Sequence, residues 1–219
     1  MCGRFVLVAL ADEIADMFEL QSVPEPFAQR FNVAPSQEIA VITNERPEVL
    51  AWHRWGLVPF WAKEAKIGYR MINARSETAA EKPSFRAAFR SRRCLIPASG
   101  FFEWRRRGKE KQPLFISLRE RPLFAFAGLW EVWRNPEGEA LYSATILTTV
   151  ANRFMADIHL RMPVILQPDD YDTWLNPASC DEHQGLLRPC AAEPMQAWPV
   201  STVVNRPAND TPETIEPLL

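Results

Sequence analysis

The sequence predicts an α+β fold, a single domain built around a largely antiparallel, barrel-like β-sheet with a few flanking helices. Many short runs rich in Phe, Ile, Leu, Val, Trp and Thr are separated by turn residues, a pattern typical of antiparallel strands. Few stretches show helical periodicity, and strands and helices do not alternate as they do in βαβ units. The length of 219 residues suits one domain with a substantial core, which we place at residues 2–219.

Nine runs are predicted to be strands because they combine β-branched and aromatic residues between turn signals. They are Glu38–Thr43, Val49–Trp55, Cys94–Ala98, Phe101–Arg105, Leu114–Leu118, Leu123–Trp133, Leu141–Thr149, Val164–Leu166 and Ala197–Val204. The basic run Arg105-Arg106-Arg107-Gly108-Lys109 is predicted to form a solvated hairpin turn, and it is also a candidate contact for a nucleic-acid backbone.

Four stretches are predicted to be helices. Ala11–Leu20 carries an apolar face, and Phe85–Arg92 follows Ser84, a residue suited to the N-cap. Val150–Ile158 is predicted to form a short helix that delivers the next residue, a histidine. Asp169–Leu175 follows a proline that suits the first helical turn.

Composition and charge exclude several classes of protein. The hydrophobic content of 47% argues against disorder, and no apolar run approaches the length of a membrane span. The amino-terminal segment lacks the pattern of a signal peptide, so we expect a soluble, cytoplasmic monomer without membrane partners, associated with the nucleoid if the source is bacterial.

The net charge of −2 alone argues against nucleic-acid binding, but the charge is unevenly distributed. Residues 1–111 carry 18 basic and 13 acidic side chains, a balance of +5, whereas residues 112–219 carry 7 and 14, a balance of −7. This asymmetry is compatible with a basic groove on an acidic protein, and chance clustering explains it equally well.

The four cysteines do not match a common metal-binding pattern, and we expect neither a metal nor a cofactor. Cys180, His183 and Cys190 have no spacing typical of zinc sites, and Cys94 lies in an apolar run that predicts a core thiol. Cys2 differs because removal of the initiator Met makes it the amino terminus. A terminal cysteine is a 1,2-aminothiol, which condenses with aldehydes to a five-membered thiazolidine. The alternative is that Cys2 is incidental, and the residue alone leaves both interpretations open.

Four further polar side chains are candidates for chemistry. Asn73 and Arg75 point to one side if the chain is extended there, and an amide with a guanidinium can hold a sugar hydroxyl and a phosphate. Glu103 lies among three aromatic residues, where burial would suit it to acid–base catalysis. His159 can shuttle a proton near neutral pH. The alternatives are a turn asparagine, a surface arginine, a solvent-facing glutamate and a structural histidine.

Two apolar edges are candidates for contacts with nucleic-acid bases. Pro35 ends the stiff segment Asn32-Val33-Ala34-Pro35, and Trp61 ends Val58-Pro59-Phe60-Trp61. Aromatic side chains beside arginines stack on bases, each stack contributing roughly 1–3 kcal/mol. Most of the eight tryptophans must nevertheless belong to the core.

The order of eight motifs closely resembles the SRAP family, the SOS-response-associated peptidases, over residues 2 to about 205. The motifs are Met1-Cys2-Gly3-Arg4-Phe5, Asn32-Val33-Ala34-Pro35, Trp55-Gly56-Leu57-Val58-Pro59, Ile72-Asn73-Ala74-Arg75-Ser76-Glu77, Cys94-Leu95-Ile96-Pro97-Ala98, Gly100-Phe101-Phe102-Glu103-Trp104, Thr148-Thr149 with Ala151-Asn152, and His159-Leu160-Arg161-Met162-Pro163. One departure is Phe102, which stands where the family often has Tyr or Trp.

The resemblance implies a protein that bonds covalently to abasic sites in single-stranded DNA and shields them near replication forks. It implies that Cys2 forms the thiazolidine after Met1 is removed, whether by an aminopeptidase or by self-cleavage. It implies that Asn73 and Glu103 orient and activate the reacting groups and that His159 assists sugar ring opening. The basic residues implied to hold phosphates are Arg4, Arg75 and Arg161. Pro35 and Trp61 are implied to part the strands or stack near the lesion.

Two other functions compete with this one. Glutamine amidotransferases of the amino-terminal nucleophile class also begin Met-Cys-Gly, and Trp52-His53-Arg54-Trp55 faintly resembles one of their segments. Those enzymes continue into an apolar residue, whereas this chain has Arg4. The second alternative is a non-covalent module that binds single-stranded nucleic acid, with Cys2 incidental.

Overall fold

A closed five-stranded barrel forms the centre of the computed structural model, which describes residues 2–177 and 180–218. The side chains of Arg107, Cys180 and Asp181 are also outside what it describes. The strands are β1 Phe5–Leu7, β2 Arg30–Val33, β3 Glu38–Thr43, β4 Arg46–Trp55, β5 Asn73–Arg75, β6 Arg93–Ala98, β7 Gly100–Arg107, β8 Glu110–Leu118, β9 Phe124–Arg134, β10 Ala140–Val150, β11 Arg161–Pro163, β12 Ile165–Leu166 and β13 Met195–Pro199.

The barrel closes because β10 pairs at both of its edges. The strand order is β10-β4-β3-β6-β9, and β9 pairs again with β10. All of these pairings are antiparallel except that between β10 and β4. Strand β5 continues the parallel edge of β10, and β11 joins the other edge. The α+β class with a largely antiparallel, barrel-like sheet is therefore confirmed.

A second sheet of five strands, in the order β13-β8-β7-β1-β2, carries the amino terminus. Its central hairpin joins β7 to β8 through a turn at Gly108 and Lys109. The predicted turn at Arg105-Arg106-Arg107-Gly108-Lys109 is therefore only partly correct, because the three arginines belong to β7. The predicted last strand, Ala197–Val204, is only partly correct. Strand β13 ends at Pro199, and a 3-10 turn spans Thr202–Asn205.

The helices are short and lie on the outside of the barrel. They are α1 Ala11–Met17, α2 Ser76–Ala79, α3 Arg86–Ser91, α4 Tyr171–Leu175 and α5 Cys180–Leu186. Helix α1 ends three residues before the predicted Leu20. The Val150–Ile158 helix is reduced to a 3-10 turn at Met155–Asp157. No helix in the described part of the chain is long and apolar enough to cross a membrane.

The barrel interior anchors the amino terminus. Phe5 is fully buried and packs edge-on against Trp55 at 5.2 Å between ring centroids and against Phe126 at 5.9 Å. Burying a phenylalanine side chain contributes roughly 2–3 kcal/mol. Since Cys2 lies three residues before Phe5 and belongs to the same buried cluster, this packing fixes where the first residues lie.

Candidate active site at the amino terminus

The pairing of β1 with β7 brings Cys2 beside Glu103. Phe5 lies opposite Phe101 and Val6 opposite Gly100, so the same register continued backwards brings residue 3 opposite Glu103. The Arg4 carbonyl accepts a hydrogen bond from the Phe102 N–H at 2.9 Å, and the Cys2 thiol donates to the same carbonyl at 3.8 Å. Met1 lies outside the described residues, so its removal stays a prediction.

Asn73 contacts the first residues directly. Its Nδ2 donates to the Cys2 carbonyl oxygen at 2.8 Å. Its Oδ1 is buried and has no hydrogen-bond partner among the described residues. Ala74 between them is buried in the opposite direction, so Asn73 and the exposed Arg75 share one face of β5, as predicted for an extended chain.

Glu103 is buried, with 3% of its surface exposed, so the alternative of a solvent-facing carboxylate is wrong. Both faces of β7 are covered, because Phe101 packs in the barrel cluster and Phe102 in a separate cluster with Phe115. Burial raises the pKa of the Cys2 thiol, and the nearby Glu103 carboxylate raises it further. Both effects favour the thiol over the thiolate.

His159 lies in the segment that enters β11 and is held by the backbone. Its N–H donates to the Met155 carbonyl at 2.8 Å, and the Arg161 N–H donates to the ring Nδ1 at 3.0 Å. The same Nδ1 also lies 3.1 Å from the Arg161 carbonyl oxygen, so the backbone of Arg161 holds this ring nitrogen whether it accepts or donates. His159 is half-buried, and the neighbouring Ile158 packs against the cluster that contains Cys2.

Arg75 and Arg161 flank Thr148 from opposite edges of β10. Arg75 is in register with Thr148 in the parallel pair, and the Arg161 Nη2 donates to the Thr148 carbonyl at 2.5 Å. Arg161 also donates through both Nη atoms to Glu77, each at 2.9 Å. These hydrogen bonds lower the pKa of Glu77. Arg75 thus lies two residues from Asn73 on the same face of β5, and the Arg161 guanidinium contacts β10 at the residue that pairs with Arg75.

Arg4 is engaged inside the protein. Its Nη1 donates to Asn32 Oδ1 and to the Val204 carbonyl, both at 2.7 Å, and its Nη2 donates to the Asn205 carbonyl at 3.4 Å. The guanidinium carbon also lies 5.9 Å from the centre of the Trp104 ring. The phosphate contact expected for Arg4 has to share these donors.

The two apolar edges lie on separate loops. Pro35 is half-buried in the turn between β2 and β3, where Ser36 has a φ of 73°. Trp61 follows β4, is 48% exposed, and donates from Nε1 to the Pro83 carbonyl at 3.3 Å. Its neighbour Phe60 is 58% exposed. Both are available for contacts with a ligand.

Sequence patterns do not identify Asn205 as part of this region. Its Oδ1 accepts a hydrogen bond from Trp104 Nε1 at 2.8 Å, although the two residues are 101 positions apart. Only the folded chain brings Trp104 and Asn205 to one place.

The remaining histidines have structural positions. His53 is buried, and burial lowers its pKa to about 4. His183 lies with Nε2 at 3.0 Å from the Thr173 carbonyl and 2.9 Å from that of Asn176. Among the described residues, no group of three or more His, Cys, Asp or Glu side chains could hold a metal ion.

Comparison with known families identifies the chain. The model of the family "SOS response associated peptidase (SRAP)" matches residues 1–207. The chain belongs to the SRAP family. The resemblance read from its eight motifs is thus confirmed.

Relatives with similar sequences match from about four fifths to nearly all of the chain. "Abasic site processing protein YoqW" of Bacillus subtilis (strain 168) is 51% identical, and the match covers 99% of each chain. "Abasic site processing protein HMCES" of Xenopus tropicalis is 36% identical over 78% of this chain and 58% of its own length. A crystal structure of a Bacteroides thetaiotaomicron protein covers all of both chains with a TM-score of 0.91 at 30% identity.

Proposed function

We propose that this SRAP protein processes abasic sites in single-stranded DNA by a covalent thiazolidine link between Cys2, exposed as the amino terminus, and C1′ of the opened sugar. The observation that carries the proposal is the Asn73 hydrogen bond to the carbonyl of Cys2, with Glu103 buried beside the thiol. The names of the related abasic-site processing proteins support the same substrate.

The chemistry starts from the amine. His159 assists opening of the closed sugar by proton transfer, which frees the C1′ aldehyde. The neutral Cys2 amine attacks C1′, and the Glu103 carboxylate accepts the protons that the nitrogen loses and passes them to the former carbonyl oxygen, which leaves as water and gives an imine. The sulfur then bonds to C1′ while the thiol proton goes to the nitrogen. Aldehyde and aminothiol thus yield thiazolidine and one water molecule.

The raised pKa of the Cys2 thiol supports this order of steps. Since burial and the Glu103 carboxylate favour the protonated sulfur, the nitrogen is the better first nucleophile. Asn73 holds the residue by its carbonyl, and the buried Oδ1 offers an acceptor for an amine N–H. Arg75 and Arg161 face flanking phosphates with Arg4, whereas Pro35 and Trp61 contact bases. The protein acts as a monomer in the compartment that contains the DNA.

The test is a denaturing gel with an oligonucleotide that contains one abasic site. We expect a slowly migrating band of covalent adduct with the processed protein and no such band with Cys2→Ala. Cys190→Ala, which removes another buried thiol, should still give the band. Intact mass establishes that Met1 is absent from each sample.

Borohydride separates the two stages of the reaction. Cys2→Ala and Cys2→Ser keep the terminal amine, so each should give a band only when borohydride reduces the imine. A band with Cys2→Ala in the absence of borohydride would contradict the proposal. The absence of a band with every form of the protein would support non-covalent binding. Release of ammonia from glutamine without a DNA adduct would support an amidotransferase.

A further inference from the structure

A cavity of about 430 Å³ opens beside Glu103 on the β7–β8 hairpin. Its lining residues are Glu103, Trp104, Arg106, Lys111 and Asn205. The cavity adjoins the candidate site, because Glu103 belongs to both. None of the other four residues has a role in the chemistry proposed above.

Two cations face this cavity in direct cross-strand register. Arg106 lies opposite Lys111 in the β7–β8 pair, and both side chains are exposed. Like charges directly opposite one another destabilise an antiparallel pair. Among the described side chains, no carboxylate lies within ion-pair distance of either cation. The two positive charges destabilise the hairpin and are not neutralised by a described carboxylate. They are therefore suited to bind an anionic ligand.

The third wall is an aromatic ring held in a fixed orientation. Trp104 Nε1 donates to Asn205 Oδ1 at 2.8 Å, and the Arg4 guanidinium lies 5.9 Å from the ring centre. A held indole beside two cations has the chemistry that recognises a nucleotide, with a flat base and an anionic phosphate.

We propose that this cavity is the subsite for a nucleotide that flanks the reacting sugar on one side. The proposal rests on the proposed function. The flanking phosphate binds between Arg106 and Lys111, and the base contacts Trp104. Arg106 follows Glu103 by three residues of extended chain, so their Cα atoms are about 10 Å apart. That separation fits a neighbouring nucleotide and is too large for the reacting sugar.

The first experiment measures binding of a single-stranded oligonucleotide that carries a tetrahydrofuran abasic analogue, which cannot react. We expect Arg106→Gln and Lys111→Gln each to weaken binding about 3- to 10-fold and to reduce the salt dependence of log K by about 0.7. Lys109→Gln is the matched control, because it removes a charge from the same hairpin outside the cavity. Equal losses in all three variants, or no loss in the first two, would overturn the proposal.

Two further measurements separate this proposal from the function on which it rests. Free 2-deoxyribose has an aldehyde form but no flanking nucleotide, so Arg106→Gln and Lys111→Gln should form its Cys2 adduct at the wild-type rate. Failure of wild-type protein to form that adduct counts against the proposed function, whereas slowing confined to the two variants counts against the subsite. The temperature of thermal unfolding should be unchanged or higher in both variants. With oligonucleotides shortened on one side of the lesion, the variants and the wild type should bind equally.

Discussion

At the scale of single residues, Asn73 combines two features that the proposed reaction requires. Its Nδ2 donates to the Cys2 carbonyl at 2.8 Å, and its Oδ1 is a buried acceptor with no partner among the described residues. A side-chain amide offers both functions at once, whereas a carboxylate offers only acceptors. Asn73 is therefore suited to fix the backbone of the nucleophile and to orient its amine.

Asn73→Asp is predicted to slow crosslinking about 10- to 100-fold, because the carboxylate cannot donate to the Cys2 carbonyl and leaves it unsatisfied, at a cost of about 1–3 kcal/mol. The measurement is the single-turnover rate of formation of the denaturing-gel band. Thermal unfolding serves as the control for the fold. A wild-type rate would show that the contact does not position Cys2.

The second residue-scale prediction concerns His53, which sits between the edges of Trp130 and Tyr142 with both ring nitrogens unpartnered among the described residues. Burial lowers its pKa from 6.5 to about 4, so the folded state favours the neutral ring. Its contribution to stability is complete above pH 6.5 and is lost as the pH falls towards 4. This loss amounts to about 3 kcal/mol.

His53→Phe keeps an aromatic ring of similar size and removes the titration. Urea unfolding of both proteins between pH 7 and pH 4 should show that the wild type loses more stability than the variant. Parallel curves would indicate that His53 is hydrated and titrates normally. The readout is the difference in stability between wild type and variant at each pH, because carboxylates titrate in this range in both proteins.

At the scale of elements, local patterns predict most strands but not every boundary. Glu38–Thr43 has the predicted bounds. The helix near Phe85–Arg92 begins one residue late, at Arg86, and Ser84 does not cap it, because Phe85 occupies the N-cap position with a φ of −124°. Short helices on a barrel surface are fixed by packing, and propensity alone does not set their ends.

The candidate site shows the same limit more sharply. The aromatic residues around Glu103 predict that it is a buried acid–base candidate. Its proximity to Cys2 depends instead on a β1–β7 pairing between segments about 100 residues apart. Trp104 and Asn205 depend on an equally distant contact. The family resemblance suggests which residues to join, whereas hydrophobic periodicity contains no information on such pairings.

The loop that carries Trp61 depends on a close backbone approach. Gly56 has a φ of 122°, and a Cβ there would lie 2.5 Å from the Gly68 carbonyl oxygen. Neither backbone can yield without moving the 3-10 helix Ala65–Arg70. Gly56→Ala is predicted to destabilise the fold by about 2–4 kcal/mol in urea unfolding.

Gly185 provides the matched control for this prediction. It lies in α5, and a Cβ there would meet no described atom within 4 Å. Gly185→Ala should leave stability unchanged or raise it by up to about 1 kcal/mol, because alanine is the better helix former. Equal stability of the two variants would mean that the loop adapts to a side chain at position 56.

At the scale of the whole molecule, the carboxy-terminal segment is fastened across the amino-terminal sheet. Asp210 accepts hydrogen bonds from the backbone N–H groups of Phe31 and Asn32 at 2.5 and 2.8 Å, and from Arg30 Nε at 2.5 Å. Asn32 Nδ2 in turn donates to three carbonyls of that segment, those of residues 204, 206 and 209. The chain's two ends thus meet beside the candidate site.

This fastening sets the position of two groups next to the reaction. Residues 204 and 205 supply the carbonyls that hold Arg4, and Asn205 also holds the Trp104 ring. A weaker attachment of the segment should therefore affect DNA binding as well as stability. Local loosening acts first on the surface that the segment completes.

Asp210→Asn is predicted to lower the free energy of unfolding by about 2 kcal/mol, because one amide nitrogen replaces an oxygen that accepts charged and backbone donors. At a temperature where the variant is fully folded, its affinity for the tetrahydrofuran oligonucleotide should also fall. Asp157→Asn is the control, because Asp157 is exposed and makes no such bonds within the described part of the chain, and it should stay within about 0.5 kcal/mol of wild type. Lost stability with unchanged DNA affinity would show that the segment stabilises the sheet without shaping the binding surface.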